Sequence, residues 1–306
     1  MKILVTGGAG FIGSQVADAY LAAGHDVFIV DDLSTGLKKN VHRQAKFVNM
    51  DIRDKRLKGL LKKERFDAVN HHAAQINVRK SLDDPTFDAS VNILGTLNLL
   101  ESSVASGVTK IIFASTGGAI YGEQEYFPAD EAHPTRPASP YGIAKLAVEK
   151  YLFYYRTVHG LNHVVLRYAN VYGPRQNPHG EAGVVAIFCT RLLKKAETII
   201  NGDGKQTRDY VFVDDVVRAN VLSLGMNDSD VFNIGTGIET DVNELFTSIK
   251  SMTSSKSQEH HGPQKLGEQR RSVLDARKAQ QILGWRPLVN LDDGLRRTVE
   301  FFSQKR

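Results

Sequence analysis

The chain has 306 residues, 39 basic against 34 acidic side chains for a net charge of +5, 42% apolar residues and one cysteine. That balance suits a packed core and excludes a disordered or collagen-like chain, and no apolar run reaches the ~18 residues of a membrane span. The basic residues fall in short pairs broken by acids, the pattern of a solvated surface, so neither a nucleic-acid nor a membrane partner is expected.

In chain order, β-branched runs alternate with segments of helical period. Strands are expected over 3–5, 25–30, 45–49, 68–71, 110–114 and 162–167, with helices over 13–23, 57–64, 91–106 and 141–158. Such alternation marks a parallel sheet covered on both faces, so the fold class is α/β, a Rossmann-type doubly wound sheet followed by a smaller C-terminal α/β region. Past about residue 175 the alternation loosens, which divides the chain into 1–175 and an interleaved 176–306. Residues 251–267 are polar and read as a mobile loop. A last helix is expected over 275–283, stopped by Gly284 and Pro287. The opening residues run from a strand into a glycine turn, without the apolar stretch of a signal peptide. Cys189 has no partner for a disulfide or a thiolate metal site, so a reducing, cytoplasmic compartment is expected and no metal.

Gly7, Gly10 and Gly13 stand between the first strand and the first helix, with Phe11 and Ile12 inside the turn. Backbone N–H groups and the positive end of the helix dipole then face an anion such as a pyrophosphate. Asp31 lies 18 residues beyond Gly13, at the end of the second strand. A carboxylate there accepts from both ribose hydroxyls and repels a 2′-phosphate, which selects NAD over NADP. Tyr141 and Lys145, at i and i+4, share one helix face, and a nearby ammonium favours the phenolate, so Tyr141 is a candidate general base.

The glycine motif together with Y-x-x-x-K resembles the extended short-chain dehydrogenase/reductase superfamily, and within it the UDP-glucose 4-epimerase-like nucleotide-sugar enzymes. The likeness covers essentially the whole chain. It implies that Asp31, Asp32, Leu33, Ser34, Thr35 and Gly36 bind the ribose and that Asp51 and Ile52 clamp the adenine. It also implies that His71, Ala73, Ala74 and Gln75 lie under the nicotinamide ribose, with Asn92 near the active site and Ala169 on the cofactor. The catalytic hydroxyl of the family has two competitors. Thr116 precedes Tyr141 by 25 residues, the family spacing. Counting back from Tyr121 instead requires a one-residue bulge, which keeps Ser115 as the alternative. On the substrate side, the resemblance implies Asn170 and Arg208 on the diphosphate, Lys265 in place of a second phosphate arginine and Glu268 on the uridine ribose. Either weaker diphosphate binding or a compensating arginine, Arg270 or Arg271, is then expected. Ser272 stands against the sugar, where a small side chain leaves room for a 2-acetamido group.

The implied protein is an NAD-dependent isomerase, a homodimer interconverting UDP-glucose with UDP-galactose and also the N-acetylated pair. A UDP-glucuronate decarboxylase, a 4,6-dehydratase and a non-catalytic NAD-binding protein are its rivals. A dehydratase needs an Asp-Glu pair after the threonine, and Gly117 and Gly118 stand there instead.

Overall fold

The computed structural model describes residues 1–178, 183–264 and 269–304. The first half runs β1 (Lys2–Thr6), α1 (Phe11–Ala22), β2 (Asp26–Asp31), β3 (Lys46–Asn49), α2 (Arg56–Glu64), β4 (Ala68–His71), α3 (Val78–Asp83), α4 (Pro85–Ala89), α5 (Gly95–Val104), β5 (Lys110–Thr116), α6 (Gly117–Ile120), α7 (Pro140–His159) and β6 (Asn162–Tyr168). The second runs β7 (Asn170–Tyr172), α8 (Val184–Leu193), β8 (Thr198–Asn201), β9 (Thr207–Phe212), α9 (Val213–Leu224), β10 (Asp230–Ile234), β11 (Glu239–Asp241), α10 (Val242–Met252), β12 (Glu259–Gly262), β13 (Arg271–Ser272) and α11 (Leu291–Ser303).

Seven parallel strands form the main sheet in the order β10-β6-β5-β4-β1-β2-β3. Successive strand residues point to opposite faces, and the inner strands bury both, whereas the edge strand β3 stays partly exposed. Leu4 packs with α2, α5 and α7 through Leu57, Leu99 and Leu152, whereas Ile3 and Val5 pack with Val16 and Tyr20 of α1. Each such fully buried side chain contributes ~1.5–3 kcal/mol. The chain order reverses at β1, which has β2 on one side and β4 on the other, the switch point at which open α/β sheets bind ligands. Strands β7, β11 and β13 gather on β9 in a second sheet, backed by a separate core that includes Phe188, Phe212 and Phe246.

Four expectations change. First, β10 joins the main sheet beside β6, and α9 packs on α1, so residues 213–234 lie with the first region despite following residue 175. Second, the helix expected over 91–106 begins as a π turn, Ser90–Leu94, before α5. Third, the supposed loop over 251–267 contains β12, ordered by a parallel ladder with β8. Fourth, the last expected helix contracts to a π turn at Ala279–Leu283, closed by Gly284 at φ 68°. Among the described residues, no helix is long and apolar enough to cross a membrane.

Candidate active site

The glycine turn exists because only a hydrogen fits there. Gly7 has φ +69°, and a Cβ on it would lie 2.6 Å from the Ala73 nitrogen, while one on Gly13 would lie 2.4 Å from the Gly7 carbonyl oxygen. No side chain caps α1, whose N-cap is Gly10, so the first N–H groups of the helix, from Phe11 onward, are left for an anion. The cradle fits a dinucleotide diphosphate.

Asp31 closes the next strand. Its Oδ2 accepts from Ala9 N–H at 2.9 Å and its Oδ1 from Leu33 N–H at 2.8 Å, leaving each oxygen a further lone pair for a ribose diol. Burial raises its carboxyl above the usual range, opposed by those two bonds. Leu33 takes a left-handed backbone to wrap the carboxylate, and a Cβ on Gly36 would sit 2.7 Å from Oδ1. Asp32 accepts from both the N–H and the hydroxyl of Ser34, and Thr35 is exposed.

Several of the residues expected on the cofactor also hold one another in place. Asp51 is committed to Arg53, which also donates to Ser90, while Ile52 is buried under Gly95. His71 is buried between Thr6 Oγ1, 2.7 Å from Nδ1, and Thr96 Oγ1, 2.9 Å from Nε2. The Thr96 hydroxyl spends its proton on the Asn92 carbonyl, so His71 Nε2 donates and Nδ1 accepts. Burial and Lys145 hold this imidazole neutral. Asn92 uses its whole amide: Oδ1 accepts from Gln75 N–H, and Nδ2 donates to the Gln75 carbonyl and to Asp88. The turn formed by Ala73, Ala74 and Gln75 is thereby pinned across the glycine turn, with Ala73 N–H donating to Thr6.

Helix α7 starts at Pro140 with Ser139 as its cap, which puts Tyr141 and Lys145 on its first two turns. Lys145 is buried, donates to the Ala114 carbonyl at 2.9 Å and lies 5.8 Å from the Tyr141 ring centre. Burial pushes its ammonium down to about 8, against the support of Asp88 and Glu149. The phenol is not lowered by protein groups, as the spacing had suggested; burial first, and then the charge of Asp88, raise it.

The two hydroxyls separate cleanly. Ser115 Oγ donates to Glu149 at 2.5 Å, and Glu149 is in turn forked by Arg167, with Nη2 2.6 Å from Oε2, so Ser115 belongs to a buried structural network rather than to the site. Thr116 ends β5 without a side-chain partner among the described residues. Its Oγ1 and the Asn170 Oδ1 converge, lying 3.8 and 3.7 Å from the point where Gly118 would carry a Cβ. A Cβ on Gly117 would collide with Leu274 at 2.5 Å, and α6 turns immediately after Thr116.

On the second sheet, Arg208 of β9 stands between Thr240 and Ser272, and Ser272 is buried. Ala169 lies half-buried between β6 and β7, its N–H donating to the Ile234 carbonyl. Lys265 and Glu268 lie outside the described residues. The compensating arginines are engaged elsewhere: Arg270 forks Asp203, and Arg271 forks Glu239 and lies 3.7 Å over the Phe127 ring. Sequence reasoning missed Arg53, Asp88, Glu149 and Arg175. The last of these bridges Ser14 and Asp18 and ties α1 to the segment after β7. The only signals were spacings: Glu149 stands four residues after Lys145, and Asp88 four before Asn92.

Residues 3–235 match the NAD dependent epimerase/dehydratase family. The UDP-glucose 4-epimerase of Mycolicibacterium smegmatis is 48% identical over 311 residues, covering 100% of this chain and 99% of its own. A UDP-glucose 4-epimerase of Thermotoga maritima, solved with UDP-glucose, superposes with a TM-score of 0.98 at 50% identity and covers 100% and 99% of the two chains. The Thermus thermophilus UDP-glucose 4-epimerase, solved with NAD, gives 0.95 at 44% identity over 99% of each. Fold, site and kinship agree, and the chain belongs to the NAD dependent epimerase/dehydratase family.

Proposed function

We propose that the protein is an NAD-dependent 4-epimerase of UDP-hexoses, interconverting UDP-glucose and UDP-galactose. The observation that carries this reading is the pairing of Tyr141 with a buried Lys145 anchored on β5, the strand that ends at Thr116, together with a glycine turn bonded to Asp31, and with Gly117 and Gly118 where a dehydratase needs acids. Gly7, Gly10, Phe11, Ile12 and Gly13 would hold the cofactor diphosphate, and Asp31 the ribose. NAD, when bound, supplies a hydride acceptor and donor, and its positive ring favours the phenolate. Tyr141 takes the proton of the sugar 4-hydroxyl and returns it. Thr116 donates to the same oxygen as charge develops on it. Lys145, anchored on the Ala114 carbonyl, keeps a positive charge beside the phenol. Asn170, Arg208, Lys265 and Glu268 would hold the UDP, Arg208 as a bidentate donor to phosphate.

The small, buried Ser272 in register with Arg208 supports acceptance of N-acetylated sugars, and Ser272→Tyr should remove activity on that pair alone. Equal loss on all four sugars would refute the pocket assignment. Dimerisation has its own support. Ile143, Tyr151, Tyr154 and Val158 form an exposed stripe along α7, with exposed Leu94 leading into α5, an apolar face suited to a second copy. The buried thiol of Cys189, pushed up to about 12, is inert and fits a cytoplasmic enzyme. Incubating the purified protein with UDP-glucose and no added NAD, then following sugar protons by NMR, tests the reaction: UDP-galactose is expected, and a 4-keto-6-deoxy or decarboxylated product would overturn it.

A further inference from the structure

Asp88, on α4, is 1% exposed, yet only half of its carboxylate is satisfied. Oδ1 accepts from Gln75 Nε2 at 2.8 Å and Asn92 Nδ2 at 3.0 Å, whereas Oδ2 is buried with no hydrogen-bond partner among the described residues. Both donors are neutral amides, so the charge has no counter-ion in its own cluster. A buried, unmatched carboxylate is costly, and stability alone gives no reason for one here.

Its surroundings supply a reason. Helix α4 packs against α7, and Asp88 acts electrostatically on both Tyr141 and Lys145. Among the described residues, the other charges around that pair are matched, neutral or at the surface. Glu149 on α7 is neutralised by Arg167 of β6. His71 and His72, at the end of β4, are both held neutral, and Glu101 of α5 is bonded to the Tyr155 hydroxyl farther along α7. Arg79, Lys80 and Asp83 of α3, and Asp84 beyond it, lie exposed at the surface. We propose that Asp88 is a positioning residue of the Tyr141–Lys145 pair, a fixed negative charge set behind both groups while its carboxylate pins the Gln75 turn.

The charge opposes ionisation of the phenol and supports protonation of the ammonium. It thus offsets the two positive charges, Lys145 and the bound cofactor ring, that would otherwise leave the phenolate too weak a base. The inference rests on the epimerase reading for the use made of the phenol, but its test needs no turnover. The tyrosinate absorbance of NAD-saturated protein is titrated for wild type and Asp88→Asn, each against its Tyr141→Phe counterpart. Tyr141 should ionise on the order of one pH unit lower in Asp88→Asn. Gln75→Leu, which breaks the clamp and keeps the charge, should titrate as wild type. Should Asp88→Asn fail to fold, Asp88→Ser is expected to give the same shift. Coincident curves for wild type and the neutral variant, or an equal shift in Gln75→Leu, would overturn the proposal. Epimerisation by the wild-type protein, assayed alongside, decides the functional reading separately. In an active enzyme both limbs of the kcat profile should move to lower pH in Asp88→Asn, an effect that a purely structural role would not produce.

Discussion

Helix α7 meets buried charge on two sides, and the two sides treat it differently. Toward β5 and β6, Glu149 is matched: Arg167 forks it, Ser115 donates to it, and the Arg167 guanidinium continues to the Tyr121 hydroxyl and from there to Asn233. Toward α4, Tyr141 and Lys145 face Asp88, whose second oxygen is unsatisfied among the described residues. A matched cluster fixes geometry, and its paired charges act on their surroundings more weakly than an unpaired one. An unmatched one leaves a field, which is what proton transfer needs. Lys145 lies on the boundary, lowered to about 8 by burial and supported from both sides.

The contrast breaks most visibly at the phenol. Tyr141→Phe should lower kcat by about 10²–10⁴-fold while leaving the thermal midpoint near that of wild type, because the change removes a proton-transfer group and no matched contact. A loss of only a few-fold would remove Tyr141 from the role of base. Glu149→Gln should do the reverse. It strands Arg167 in the core and should cost about 3–5 kcal/mol in denaturant unfolding, whereas a Glu149→Leu/Arg167→Met double variant should recover most of that. If the single and double variants are equally unstable, the pair is not what Glu149 is for.

What the sequence disclosed follows the same division. Gly7, Gly10, Gly13 and Asp31 were legible because a helix start that approaches a strand so closely admits only glycine, and because a strand end places one side chain at a fixed point. The inner strands among the first six were legible because burial on both faces selects continuous apolar runs, and the edge strand β3 by the Phe47-Val48 pair. The return of β10 to the sheet was not, since sheet membership is a long-range pairing that a local pattern does not encode. Strand β12 carries Glu259, His260 and His261, all exposed, and owes its order to the ladder with β8 rather than to its own composition. The π turn at Ser90–Leu94 was hidden because nothing in its local sequence distinguishes it from the α-helix that follows, and Asn92 within it bonds Gln75, 17 residues away. Asp88 left no mark beyond its spacing from Asn92, for an unmatched acid looks in sequence like any surface acid.

The adjacent hydroxyls sharpen the comparison at smaller scale. Neighbouring residues on a strand point to opposite faces, so Ser115 and Thr116 cannot share a role. Thr116→Val should cost about 10²–10³-fold in kcat, as loss of one donor to a developing oxyanion does, with little change in stability. Ser115→Ala should keep kcat within a few-fold and cost about 1–3 kcal/mol, because it leaves a buried Glu149 oxygen short of a donor. If the two effects are interchanged, the assignment reverses.

His163 shows a third way to bury an ionisable group, by keeping it neutral. It is 6% exposed on β6, its Nδ1 is without a partner among the described residues, and burial, reinforced by Arg156, lowers its pKa to about 4. The folded value lies below the unfolded value of ~6.5, so the unfolded chain takes up the proton first. The stability that depends on neutral His163 is therefore complete above pH ~6.5 and is lost as pH falls toward about 4. Between pH 7 and pH 5 this one group should cost about 2 kcal/mol. In His163→Phe the denaturant midpoint should fall less steeply over that interval, by about that amount. An unchanged slope would mean that the imidazole finds a counter-charge in the fold after all, with Glu149 and Asp230 the acids that act on it. His163 would then belong with the matched side of α7, and Asp88 would remain apart from it.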